Sequence, residues 1–148
     1  MRDVIIIPTY NERENIARLI PILFNLYPSI HILVIDDNSP DGTASAVREL
    51  MRTYPHLVLR VRSGKFGLGS AYIEAMRDVL HTNDVRAVVT MDADFSHDPK
   101  TIAAMLHVLE LHDLVIGSRY VAGGSVAAWN FWRRMLALAN TLFFSLAA

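Results

Sequence analysis

Two aspartates, Asp92 and Asp94, stand one residue apart at the end of the apolar run Val88-Val89-Thr90-Met91. Side chains at i and i+2 of an extended backbone point to the same side. A buried strand ending here therefore aims both carboxylates at one point. Two bare carboxylates that close repel each other by up to about 4 kcal/mol at an effective dielectric of ~20. A hard dication, Mg²⁺ or Mn²⁺, removes that repulsion, takes oxygen ligands near ~2.0–2.2 Å and keeps positions for the phosphates of a ligand. The plain alternative is that both aspartates cap the next helix or turn. Of the residues that follow, Ser96 or a water suits the metal shell better than His97, since a histidine beside a helix start is more often structural.

Asp36 and Asp37 end a second apolar run, where an acid can hydrogen-bond a ribose or a base edge. A dinucleotide fold would carry G-x-G-x-x-G after its first strand. Pro8-Thr9-Tyr10-Asn11-Glu12 stands there instead, which argues against a nicotinamide enzyme. Lys65 lies in the glycine-rich stretch Ser63-Gly64-Lys65-Phe66-Gly67-Leu68-Gly69, where it can meet a phosphate or sit in an ordinary turn. The stretch does not fit a Walker A loop. Asp98-Pro99 reads as an N-cap and first helical residue.

Apolar runs at residues 4–7, 30–35, 57–61, 87–91 and 114–116 read as five strands, the third half exposed at a sheet edge. Helical spacing follows each of the first four. Thr9 or Asn11 is expected to cap the first helix, with Glu12 or Glu14 as reciprocal partner, and Pro21 to kink or split it. Alternating strands and helices predict an α/β sandwich with a mainly parallel central sheet and helices on both faces. Ligands of such sheets bind beyond the carboxyl ends of the strands, and all the chemistry-bearing segments fall on that edge.

The chain has 148 residues, 52% hydrophobic and 20% charged, so it can bury a core. Its net charge of −1 supplies no field to attract nucleic acid. The absence of cysteine excludes disulfides, cysteine nucleophiles and zinc–thiolate sites, and fits a reducing compartment. The first residues show no signal-peptide pattern. Every acidic residue lies at or before Asp113, whereas Arg119, Arg133 and Arg134 follow it, a balance suited to an anionic ligand or surface.

Five segments in order resemble the dolichol- or polyprenol-phosphate mannose synthases: residues 8–16, 35–43, 67–72, 91–97 and 117–120. These are inverting family 2 glycosyltransferases with the Rossmann-like GT-A fold. The resemblance, which runs to about Asn140, implies transfer of a hexose, mannose from GDP-mannose by preference and glucose from UDP-glucose as the alternative, to a polyprenyl or dolichyl phosphate with Mg²⁺ or Mn²⁺. It implies that Pro8, Tyr10 and Glu12 line the nucleotide pocket, with Ile35 and Ala93 also among the binding positions. Asp36 and Asp37 would bind base and ribose, and Asp41 and Lys65 the nucleoside portion. Asp92 and Asp94, with Ser96, would hold the metal on the pyrophosphate. Arg119 and Arg133 would hold the acceptor phosphate and the leaving diphosphate, and with Asp94 they form the implied catalytic set. Asp-x-Asp-x-Ser also resembles the haloacid-dehalogenase motif, but that motif belongs on a first strand.

An acceptor hydroxyl needs a carboxylate base. The chain has none after Asp113, and a lipid phosphate, already an anion, needs only cationic positioning. Residues 1–128 are expected to form the nucleotide-sugar-binding catalytic domain and 129–148 an amphipathic, interfacial helix led by Trp129, Trp132, Arg133 and Arg134. The run after Arg134 is shorter than the ~20 residues of a membrane span. The alternative is a core or dimer-interface helix. The resemblance implies that the C-terminal part of the family domain is missing, so the second expectation is a catalytically incomplete sugar-nucleotide-binding protein or partner subunit. The expected location is peripheral, at the cytoplasmic face of a membrane, with a membrane-anchored partner or a second copy as possible company.

Overall fold

Ile5, Ile6 and Ile7 are wholly buried in β1 (Arg2–Thr9), the strand about which the sheet is built. The computed structural model describes residues 1–118. In chain order it contains β1, α1 (Arg13–Leu26), β2 (His31–Asp36), α2 (Thr43–Met51), β3 (Leu57–Val61), α3 (Leu68–Leu80), β4 (Val85–Thr90), a 3-10 turn (Pro99–Thr101) and α4 (Ile102–Leu109). Every strand pairing is parallel, in the order β3-β2-β1-β4. The half-exposed third strand is an edge strand, as its alternation implies.

Parallel strands covered on both faces must be apolar on both. Ile5 and Ile7 join Ile16, Leu19, Ile20 and Leu23 of α1 and Val47 of α2 in one core. Val4 and Ile6, pointing the other way, join Ala71, Ala75 and Val79 of α3. Each large aliphatic side chain buried this way contributes about 1.5–3 kcal/mol. Pro21 does not split α1. Ile20, Leu23 and Phe24 are buried on either side of it, and that burial outweighs the roughly 3 kcal/mol cost of an interior proline.

Residues 114–116 form no strand among the described residues, and Leu114 and Ile116 are 74% and 77% exposed. Three apolar residues make a strand only where a neighbour completes the ladder, and none of the described strands does so. The expected helix over residues 129–148 lies outside the described residues. No described helix is long and apolar enough to cross a membrane.

The first turn of α1 is held from outside. Glu12 occupies the N-cap position with no side-chain cap bond, in place of the expected Thr9 or Asn11. The Glu12 N–H donates to Thr43 Oγ1 and the Arg13 N–H to Asp41 Oδ2, while Asp41 Oδ1 accepts from the Thr43 N–H and hydroxyl. One carboxylate thus ties the starts of α1 and α2 together. Partial burial pulls the Asp41 pKa upward, but the hydrogen bonds from Thr43 and Arg13 outweigh it and hold it below its usual value. Its contribution to stability is therefore present above the unfolded pKa and lost as pH falls through the lower folded one. Asp41→Ala is expected to cost about 1 kcal/mol in urea unfolding at neutral pH. The difference from wild type should vanish in strong acid.

Candidate active site

The chain crosses from β3, at one edge, over α3 to β4 on the far side of β1. The ends of β1 and β4 are therefore the switch point at which such sheets bind ligands. A cleft of about 340 Å³ opens there. Pro8, Thr9, Tyr10 and Glu12 line it from the end of β1, Asp37 from the end of β2, and Asp92, Ala93 and Asp94 from the end of β4. Lys65, Gly67, Leu68 and Ala71 close it from the glycine-rich loop and the start of α3.

Asp92 and Asp94 converge, but not along a strand. β4 ends at Thr90, and Ala93 and Asp94 are in a turn. Phe95 follows at φ +60°, a conformation costly for a bulky residue. It persists because the ring packs against the core around Ile5 and lies 5.2 Å beneath the Arg18 guanidinium. Asn11 and Asn38 also have positive φ, directly after Tyr10 and Asp37. Each bend turns the chain away just after a cleft residue.

The Tyr72 hydroxyl donates to Asp92 Oδ1 at 3.0 Å, and the Asp92 N–H to His97 Nδ1 at 3.2 Å. Burial, then the Asp92 charge and hydrogen bond, push the Tyr72 pKa far up, so the phenol stays a donor. The Ser96 N–H donates to Asp94 Oδ1 at 2.9 Å. Burial raises the Asp94 pKa, but the Ser96 hydroxyl and N–H and the neighbouring His97 lower it further, leaving it below the usual value. Asp92 Oδ2 accepts no hydrogen bond among the described residues. Two carboxyl groups supply a hard oxygen donor set, which fits Mg²⁺ or Mn²⁺. No group of three histidine, aspartate or glutamate side chains is placed to hold a metal among the described residues, so phosphate and water oxygens would complete the shell. Ser96 is exposed and is not among the residues that line the cleft.

Asp37 is 5% exposed, and its Oδ1 is 2.5 Å from Arg62 Nη1. Its Oδ2 accepts from the Phe66 and Gly67 N–H groups at 3.0 and 2.8 Å. The Lys65 ammonium lies 3.8 Å from the centre of the Tyr10 ring.

Several expected residues lie away from the cleft walls. Asp36 is fully buried and accepts from the Thr9 hydroxyl, the Ser39 N–H and the Ser39 hydroxyl, so it builds the turn after β2. Ile35 packs beneath α3. Asp41 bridges two helix starts. Asp98 caps the 3-10 turn ahead of Pro99, as its position before a proline implies. Arg119 and Arg133 lie outside the described residues. Tyr72 and Arg62 were not singled out by sequence reasoning. Helical spacing with Ala75, Met76 and Val79 puts Tyr72 on the inner face of α3, and Tyr72 ends the 67–72 segment that carries the resemblance, but neither fact assigns it a role. Strand alternation placed Arg62 in solvent.

The family model for "Glycosyl transferase family 2" matches residues 4–146. Polyprenol monophosphomannose synthase of Mycolicibacterium smegmatis is 43% identical over 137 residues, 91% of this chain and 51% of that protein. Dolichol-phosphate mannosyltransferase of Pyrococcus furiosus is 40% identical over 92% of this chain and 38% of its own length. Undecaprenyl-phosphate mannosyltransferase of Micrococcus luteus is 40% identical over 97% and 58%. The chain thus spans about half the length of the relatives it matches. Among solved structures, the mannosyltransferase PcManGT of Pyrobaculum calidifontis, in complex with GDP-Man and Mn²⁺, superposes with a TM-score of 0.61 at 30% identity, over 73% of this chain and 32% of that one. TarS of S. aureus, at 22% identity, matches in fold alone, with a TM-score of 0.55 over 74% of this chain and 20% of that one. The sheet order, the cleft at its switch point and these likenesses define a GT-A-like fold, and the chain belongs to glycosyl transferase family 2.

Proposed function

We propose that the chain carries the donor-binding part of an inverting polyprenol-phosphate mannosyltransferase, with GDP-mannose as donor and a polyprenyl or dolichyl phosphate as acceptor. The observation that carries this reading is the convergence of Asp92, Asp94, Lys65 and Tyr10 on one cleft, in a chain 30% identical to a mannosyltransferase solved with GDP-Man and Mn²⁺. Asp37 uses three of the roughly four acceptor positions of a carboxylate on protein donors, which leaves one for a base or ribose donor. Lys65 offers a cation to the diphosphate. Asp92 and Asp94 would hold the Mg²⁺ or Mn²⁺. When bound, the metal supplies Lewis-acid stabilisation of the departing diphosphate.

An acceptor phosphate oxygen attacks the anomeric carbon. The bond from that carbon to the donor diphosphate breaks, its electron pair leaves with GDP, and the anomeric configuration inverts. No proton need be removed, because the acceptor phosphate is already an anion. Arg119 and Arg133 are the proposed holders of the two phosphates. The segment from Trp129 to Arg134 is the proposed contact with the cytoplasmic face of a membrane, directly or through an anchored partner or second copy.

The test is a transfer assay with GDP-mannose, UDP-glucose and other nucleotide sugars and a short polyprenyl phosphate, with and without Mg²⁺ or Mn²⁺. Inverted mannosyl phosphate formed only with metal supports the proposal, and failure both to bind and to transfer from any of these donors refutes it. The other outcome is a chain that binds donor without transferring sugar. Donor binding measured on the same sample separates the two.

Tyr72 bears on the metal independently of turnover. Tyr72→Phe keeps the ring and deletes the donor to Asp92, so Mn²⁺ affinity is expected to fall by about tenfold. Titration followed by electron paramagnetic resonance reads this directly. Unchanged affinity would mean that the hydroxyl does not orient Asp92.

A further inference from the structure

We infer that Arg62 is a positioning residue that sets Lys65 for a nucleoside diphosphate, acting through Asp37 and the glycine-rich loop. The inference rests on the donor-binding function proposed above. Alternation along β3 would send Arg62 to solvent, yet its side chain is only 6% exposed. Each side of its planar fork has a partner. Nη1 meets Asp37 Oδ1 at 2.5 Å, Nε meets Glu74 Oε2 at 2.9 Å and Nη2 meets Ser70 Oγ at 2.8 Å. The guanidinium carbon lies 4.9 Å from the centre of the Phe66 ring. A single cation thus joins the end of β2, the glycine-rich loop and the start of α3. Lysine, a point charge without the fork, cannot satisfy these directions together.

The loop is fastened from its other side by the carboxylate that Arg62 orients. Asp37 Oδ2 takes the N–H groups of Phe66 and Gly67, and Gly67 has φ +89°, which lets the chain double back into α3. Lys65 immediately precedes these two anchored amides. Its ammonium rests over Tyr10 at 3.8 Å, at the cleft wall. An exposed cation–π contact is weaker than a charge-assisted bond to phosphate, so an arriving diphosphate draws the ammonium off the ring. The Arg62–Asp37 pair fixes where that ammonium starts and how far it reaches.

The test uses the full chain with Arg62→Lys, Lys65→Met and the double variant, with GDP and UDP as probes in the presence of Mn²⁺. Two readouts are taken: nucleotide affinity by calorimetry, and hydrogen exchange at the Phe66 and Gly67 amides without nucleotide. Arg62→Lys is expected to lose protection at both amides and to bind nucleotide about 10- to 100-fold more weakly. If Arg62 acts through Lys65, the double variant binds no worse than the weaker single. Losses that multiply overturn the inference, and so does unchanged protection in a variant of a chain that binds nucleotide. A wild type that binds neither nucleotide overturns the proposed function and the ligand side of this inference together, whereas lost amide protection still reports the latch itself. Should Arg62→Lys not fold, Glu74→Gln takes the charge from the Nε partner, and Glu74 makes no hydrogen bond to the glycine-rich loop among the described residues. This variant is expected to move both readouts the same way by a smaller step, and no movement in either would overturn the inference.

Discussion

Sugar transfer is expected to fall by about 10³-fold or more in Asp94→Ala, and equally in Asp92→Ala, as when a principal electrostatic stabiliser of a transition state is removed. Both carboxylates line the cleft, and neither is consumed by the fold. Asp94 stands exposed at the rim, its charge favoured by Ser96. Asp92 is half-buried and steadied by Tyr72. Either substitution leaves a single carboxylate in a donor set that has no third histidine, aspartate or glutamate among the described residues. Mn²⁺ binding should therefore fall together with transfer. Asp98→Ala is the control, because Asp98 caps the 3-10 turn outside the cleft and its loss should cost stability but not metal affinity. Transfer and Mn²⁺ titration on the same three preparations make the comparison. Full transfer in both Asp92→Ala and Asp94→Ala would place the metal elsewhere.

The parts of this molecule that repeat were legible in its sequence. Apolar runs with an amphipathic helical segment between each pair specify a parallel sheet because a strand buried on both faces has no other composition available. The cleft was legible for the same reason, since sheet topology gathers the loops at the carboxyl ends whatever their detail. What escaped was set by contacts between segments far apart in the chain. The helix start at Arg13 resembled a local capping box, yet its amides are met by Asp41 and Thr43. Asp92 and Asp94 meet through a turn held by the packing of Phe95, which alternation does not encode. Arg62 follows a strand whose pattern points it outward, and only the loop folding back over it makes it interior. The apolar run at 114–116 had the right composition for a strand, but composition does not supply a ladder partner.

Loss of Asp37 is expected to be among the most damaging single changes to stability, because it strips a buried cation of its closest carboxylate. Breaking a buried ion pair from one side costs about 3–5 kcal/mol, since the remaining charge stays desolvated. Both side chains here are 6% exposed, so solvent screening offers little relief. Asp37→Ala also orphans the Phe66 and Gly67 N–H groups. Glu74 remains as a second carboxylate at 2.9 Å, but it is itself 34% exposed, which places the cost toward the lower end of that range. For a chain of this size the loss corresponds to about 6–20 °C in Tm. Asp37→Asn keeps an acceptor for the two amides while discarding the charge, so it should fall between Asp37→Ala and wild type. Pairing Asp37→Ala with Arg62→Met removes both charges, and the double variant should be more stable than the sum of the two single losses predicts. Urea unfolding of the four proteins measures that coupling. An Asp37→Ala variant within about 1 kcal/mol of wild type would mean that Arg62 finds its compensation in Glu74, with the loop held through Ser70.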